Sequence, residues 1–510
     1  MASKKAQPRK TVKQTEPETR SESDAPTSKP AGAGSDADDD DVDQDKHPTT
    51  KEPSAPSVRP ASSKVSEPKR ASADSQSAKA ERSAKKTEAD RHNDHADSHA
   101  KGGDKGGDQG PPGENIKLGD AGPVLIKVGL GLGVVGLGGA AALGATQNDG
   151  FAHFFHSYLV AFWWGLTITL GALFFVLIQH LTKSRWSPVV RRVAEIFLGN
   201  MPLMAVLSLV VIVPVLLGNS GLYAWNDPHQ VAASHLIQHK AGYLNSSFFV
   251  GRWVLYFAVW IGLGTVLVKN SVAQDTSGDP KLSNKNFALS APGMVLFGLT
   301  ATFGAIDMIM SLEPEWFSTM YGVYIFAGCQ LSFHSVLALS LFYLQGTGRL
   351  TKSVSVHHFH DIGKMLFAFV VFWAYIAFSQ FFLIWYADIP EETVWFKSRL
   401  ADGWLWVSVI QLVGHFVVPF FGLMSRHTKR SRKSLGFWAI YILAVHYIDL
   451  YWLIMPSYDA KQAPLHAMDL LALVGVAGLM IANAARVASG LNLRPTKDPR
   501  LAKSLAFENY

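Results

Sequence analysis

From Pro123 onward, apolar runs recur along the chain, separated by short polar stretches. Ten are legible, at approximately 123–145, 152–181, 195–217, 247–269, 291–312, 320–345, 361–387, 403–425, 435–456 and 465–489. A helix rises about 1.5 Å per residue, so a run of roughly 20 residues crosses a hydrocarbon layer of about 30 Å. Only helices and closed barrels satisfy their backbone groups in lipid, and these runs lack the two-residue alternation of barrel strands. The pattern predicts an all-α polytopic membrane protein with about ten transmembrane helices.

The residues before the first run read differently. Residues 1–118 contain no Phe, Trp or Tyr and carry 21 Lys and Arg against 22 Asp and Glu. Such a segment cannot bury enough apolar surface to offset the entropy of ordering it, so a disordered tail is expected. The first apolar segment starts too far into the chain for a cleavable signal peptide. Between the runs, basic residues divide unevenly. Twenty lie on one side, including Arg191, Arg349, Lys429, Arg432 and Arg494, against five on the other: Lys240, Arg252, Lys397, Arg399 and Lys461. The positive-inside rule then places both termini in the cytoplasm. The formal net charge of +6 follows from these loops and calls for no nucleic-acid partner.

The apolar runs contain an internal echo. Run 5 ends "AIDMIMSLEP" and run 9 ends "YIDLYWLIMP", with Asp307 and Asp449 each seven residues before a proline. Tyr158, Ala161 and Gln179 in run 2 are spaced like Tyr324, Ala327 and Gln345 in run 6. The repeat predicts two parallel four-helix bundles, residues 151–318 and 319–460. A flanking helix precedes them within 119–150, and another follows within 461–510 ahead of the cytoplasmic C-terminus.

Each aspartate falls inside an apolar run, where a carboxylate is costly and needs a partner or water. Around Asp449, His446 shares a helix face at i, i+3, and Gln411 and His415 share another at i, i+4. With His334, Asp307 and Lys364 these make a candidate proton path, because imidazole and carboxylate exchange protons near neutral pH. His334, His415 and His446 could in principle supply a pair of haem ligands, but no helix carries the widely spaced pairs of a two-haem bundle. Neither haem nor a metal is expected on this chain. The lone Cys329 excludes a CxxCH haem site, a four-cysteine cluster and an internal disulfide. The "HHFHD" stretch with His357, His358 and His360 reads as a polar loop. His229, His235 and His239 have the spacing of one amphipathic helical face, suited to docking a partner.

The stretches "SYLVAFWWGLTITLGALFFVLIQHLT", "IDMIMSLEPEWFSTMYGVYIFAG", "DIGKMLFAFVVFWAYIAFSQFFLIWYADIPEETVWF" and "HYIDLYWLIMP" resemble the NrfD or polysulfide-reductase-like membrane family. Within it they closely resemble the second large membrane subunit of bacterial alternative complex III, a quinol:cytochrome c oxidoreductase. The resemblance spans about residues 120–500. It implies a multi-pass subunit of the bacterial inner membrane without its own redox centre, supporting quinol oxidation and proton conduction. The implied partners are quinol, a paired homologous membrane subunit, and extracytoplasmic iron–sulfur and c-haem subunits. Such a subunit is part of an enzyme rather than an enzyme alone. Family members usually start close to the first helix, so the long tail departs from the pattern. A quinone contact is expected on the outer side of the first bundle, near His156 and Asp307. The competing reading is a secondary transporter built from two helical bundles, although its repeats would more often be inverted.

The orientation is testable by cysteine labelling. Cysteines at positions 429 and 3 are expected to react only from the cytoplasm, and a cysteine at 391 only from outside. Labelling at 391 from the cytoplasm alone would reverse the topology.

Overall fold

A computed structural model of the chain describes residues 108–218 and 221–509. The tail expectation for 1–107 lies outside them. All regular structure among the described residues is helical. Ten helices are long and apolar enough to cross a membrane: α1 (Ala121–Gly144), α2 (Ala152–Leu181), α3 (Pro188–Leu216), α4 (Ser246–Ser277), α5 (Pro280–Leu312), α6 (Tyr321–Gly346), α7 (Val356–Ala387), α8 (Trp404–Met424), α9 (Arg432–Ser457) and α10 (Ala467–Ser489). They match the ten apolar runs. Several begin earlier than hydropathy alone suggests: α3 starts at Pro188 and α5 at Pro280, each with a proline in its first turn. That position tolerates proline because the first-turn N–H groups have no helical partner.

Packing follows the repeat. In the first bundle α2 packs on α3 and α5, and α4 on α3 and α5. In the second, α6 packs on α7 and α9, and α8 on α7 and α9. The bundles meet through α2 against α6, and through α5 against α6 mirrored by α9 against α2. That reciprocity is what a parallel duplication produces. The two central helices, α2 and α6, are also the most enclosed of the ten.

The flanking helices form a pair of their own. Their crossing is built on small residues. A Cβ at Gly129 would lie 2.5 Å from the Gly478 carbonyl, and one at Gly136 would lie 2.4 Å from the Gly475 nitrogen. Only glycine permits this backbone approach, the usual device for helix association in lipid.

The ends with the basic loops are tied by buried ion pairs. Glu195 of α3 accepts from Arg191 at 3.1 Å, Arg192 at 2.8 Å and Ser271 of α4 at 2.7 Å. Arg191 also reaches Asp498 at 2.6 Å, and Arg192 reaches Asp275 at 2.7 Å. The lead-in before α1 joins this end. Arg494 pairs with Asp108 at 2.8 Å and with buried Glu114 at 3.2 Å, and Leu493 N donates to the Ile116 carbonyl at 2.8 Å. Residues 108–118 therefore belong to the folded body rather than to the tail that was expected to run to 118. Leu118 is buried in the core with Ile116 packed against it, and the buried Arg494 guanidinium ties down the polar residues before them.

Two further expectations change. His357, His358 and His360 lie in the first turns of α7 rather than in a loop, and His358 caps that helix through Ser355. His229, His235 and His239 do not share one helix: Ser234 ends the helix Pro228–Ala233 and caps a new one, His235–Lys240.

Burial pushes the Asp498 carboxyl up, but the Arg191 guanidinium outweighs it and holds Asp498 down at about 2. A depressed carboxylate contributes stability above its ordinary value of 3.8, which is lost as pH falls toward about 2. Asp498→Asn should cost about 3–5 kcal/mol, because it strips a buried guanidinium of a partner. Trypsin cleavage at Lys503 should then be much faster in the variant at pH 7. Equal cleavage rates would remove the ion pair from the account.

Candidate functional site

The second bundle closes around Asp449, which is 1% exposed. Its Oδ1 accepts from the Tyr324 hydroxyl of α6 and from Gln411 Nε2 of α8. Gln411 Nε2 also lies 2.8 Å from the Tyr324 oxygen, so the three groups form a closed triangle. Oδ2 has different neighbours. His446 Nδ1 stands 3.7 Å away and His415 Nδ1 3.9 Å away, beyond direct hydrogen-bond reach.

The other side of His446 meets the first bundle. Nε2 lies 3.1 Å from Thr167 Oγ1 of α2, which also lies 2.9 Å from the Trp164 carbonyl and 3.2 Å from Ser332 Oγ. With Nε2 as the donor, a neutral His446 leaves a bare Nδ1 facing the carboxylate. Two acceptors then confront each other with space between them. An added proton or a small donor relieves that arrangement.

His415 completes the gap. Neither of its ring nitrogens has a hydrogen-bond partner among the described residues, although the residue is wholly buried. Its ring lies 4.0 Å from that of Trp373. It sits in a π-helical segment, Leu412–Val417, flanked by α-helix. Such bulges insert extra backbone and re-aim side chains, and they recur at functional sites. Gly328 of α6 makes room opposite: a Cβ there would lie 2.6 Å from His446 Cε1.

The ligand-type atoms of His415, His446 and Asp449 all lie within 4.8 Å of one another. A tetrahedral shell with bonds near 2.0–2.1 Å sets neighbouring ligand atoms about 3.4 Å apart. The observed 3.7 and 3.9 Å are somewhat wider than this and longer than a hydrogen bond.

The first bundle solves the same burial problem in another way. Asp307, also 1% exposed, is held by Arg252 of α4 through two contacts, Nε–Oδ2 at 2.8 Å and Nη2–Oδ1 at 3.1 Å. The Tyr256 hydroxyl donates to Oδ2 at 2.6 Å. Arg252 in turn lies over the rings of Tyr243 at 3.8 Å and Phe248 at 4.3 Å. This carboxylate is fixed in a bidentate ion pair and differs in kind from its repeat counterpart.

The remaining predicted residues scatter. His334 hydrogen-bonds its own helix through the Gln330 carbonyl at 2.8 Å and stacks on Phe369, with no contact to Asp449. Lys364, half exposed, pairs with Asp361 at 2.8 Å at the basic end. His156 bonds the Ala152 carbonyl at 2.8 Å and faces Tyr458, and its Nε2 is unpartnered. No contact joins His156 to Asp307. Of the predicted set, Asp449, His446, His415 and Gln411 come together. Tyr324, Thr167 and Arg252 were not foreseen as members. Tyr324 was visible as a repeat position, and Arg252 as a lone charge inside the run of α4.

The two aspartates should respond differently to Asn. Asp307→Asn leaves the Arg252 charge buried without a counter-ion, a loss of about 3–5 kcal/mol. Asp449→Asn keeps an oxygen for Tyr324 and Gln411 and sets an N–H toward two imidazole nitrogens, so about 1 kcal/mol or less is expected. Thermal unfolding of the purified chain in detergent measures both. A larger loss in Asp449→Asn would reverse the assignment.

Compared with known proteins, the chain matches no protein-family model and no curated protein sequence.

Proposed function

We propose that this chain is an integral subunit of a respiratory quinol:cytochrome c oxidoreductase of the alternative complex III type. In this reading it lies in the bacterial inner membrane with both termini in the cytoplasm, and it conducts protons through its second bundle. Electrons would pass through haem and iron–sulfur groups in partner subunits, with none held here.

The observation that carries the proton role is the unsatisfied space between Asp449 Oδ2, His446 Nδ1 and His415 Nδ1. A buried carboxylate with two firm donors on one oxygen and two imidazoles standing off the other can accept a proton without rebuilding its surroundings. Imidazoles are suited to relay that proton at neutral pH. Thr167 touches the His446 ring from the neighbouring bundle, so movement between bundles would be felt at the proton site. Asp307, clamped by Arg252, supports the fold in this reading and lies off the path.

The parallel packing of the two bundles favours this reading over a transporter with inverted repeats.

The test is the assembled complex in vesicles. Asp449→Asn is expected to assemble, because its hydrogen bonds survive, and to lower quinol-driven proton release at least tenfold. Normal assembly with normal turnover and proton release would leave Asp449 as an interhelical hydrogen bonder only.

A further inference from the structure

Between α7 and α8 a cleft of about 620 Å³ reaches toward the Asp449 site. This volume falls in the range of small-molecule pockets. Its walls are aromatic, with Trp373 and Phe381 on α7, Phe416 on α8 and Trp452 on α9. Tyr375, Phe378 and Leu412 at the cleft are each at least 60% exposed, so its mouth opens sideways to the lipid.

Two amides border the cleft. Gln411 Nε2 is committed to Asp449 and Tyr324, but its Oε1 accepts no hydrogen bond among the described residues. Gln380 of α7 accepts from Ser318 at 2.9 Å through its Oε1, and its Nε2 donates to nothing among the described residues. Both residues are more than nine-tenths buried. Neither free atom is sealed inside protein, because neither is among the enclosed atoms lacking a partner. The two amides thus offer one free acceptor and one free donor, carried on facing helices.

We propose that this cleft binds a quinol-class amphiphile, its ring between the aromatic walls, one oxygen at Gln411 Oε1 and the other at Gln380 Nε2. A lipid acyl chain would fill the apolar walls but leave both amide atoms unpaired, at about 1–3 kcal/mol each. A phospholipid headgroup brings charge, and no charged side chain lines the cleft. A neutral ring with oxygens at two edges and an apolar tail matches donor, acceptor and lipid-facing mouth together. The site rests on the quinol reading above, but it lies in the second bundle. The first-bundle location near His156 and Asp307 is less suited, because Arg252 and Tyr256 occupy both oxygens of Asp307.

The experiment uses the intact complex in nanodiscs with a short-chain azidoquinone, and in parallel a phospholipid with a photoreactive acyl chain. The azidoquinone is expected to label peptides within 371–381 or 404–416, in competition with unlabelled quinone. Ala377→Trp, which fills the cleft, should lower that labelling at least tenfold, and Gln411→Leu or Gln380→Leu should weaken competition about tenfold. Assembly measured beside labelling shows that each variant is folded. Labelling confined to peptides around His156 and Asp307 overturns the site, as does cleft labelling by the lipid probe that quinone does not displace. If the complex reduces cytochrome c with quinol while the cleft stays unlabelled, this inference fails alone. If quinol neither labels the chain nor drives the complex, the proposed function fails with it.

Discussion

A carboxylate buried among transmembrane helices has to be either neutralised or supplied with hydrogen bonds, because lipid offers neither. That constraint shapes both bundles. Asp307 meets it with a fixed opposite charge and Asp449 with neutral donors. Around Asp307 the guanidinium, two tyrosines and a phenylalanine form a saturated cluster. Around Asp449 one oxygen is saturated and the other is not. Duplication supplied equivalent positions, and the side chains brought to each have diverged.

The surrounding architecture serves that asymmetry. The π-turn in α8 directs His415 toward the carboxylate, and Gly328 admits the His446 ring between α6 and α9. Thr167 reaches across from α2, so the hydrogen-bond partner of His446 Nε2 comes from the other bundle. Far from this centre, the basic ends of the helices are tied through Arg191, Arg192 and Arg494, whose acidic partners come from α3, α4 and both terminal segments. The Asp449 site is thereby set within a frame whose own charges are paired.

The ten helices and the bundle repeat were legible in the sequence, because apolar length and the spacing of Asp, Tyr and Gln carry both. Pairs on one helix were legible too: His446 with Asp449, and Gln411 with His415, follow from 3.6 residues per turn. Partners on other helices were not. Nothing local in α2 marks Thr167 as the group that orients His446, and the π-turn has no signature in the run "QLVGHFV". Arg252 was readable as a lone charge in an apolar run but was assigned to the loop side, so Asp307 looked chemically freer than it is. Ser234 likewise carried a cap signal that breaks the histidine-bearing segment in two. The end of the tail was missed for another reason: Asp108 and Glu114 pair with Arg494 far along the chain, and a reading based on apolar content is blind to such pairs.

The proposed proton role requires that Asp449 change its protonation state inside the folded second bundle. Infrared difference spectroscopy of the purified chain in lipid, recorded between acidic and alkaline pH, reads this directly through the carbonyl stretch of a protonated buried carboxyl. The account predicts a band that disappears in Asp449→Asn and survives in Asp307→Asn. A band that persists in Asp449→Asn, or one abolished only by Asp307→Asn, would contradict it.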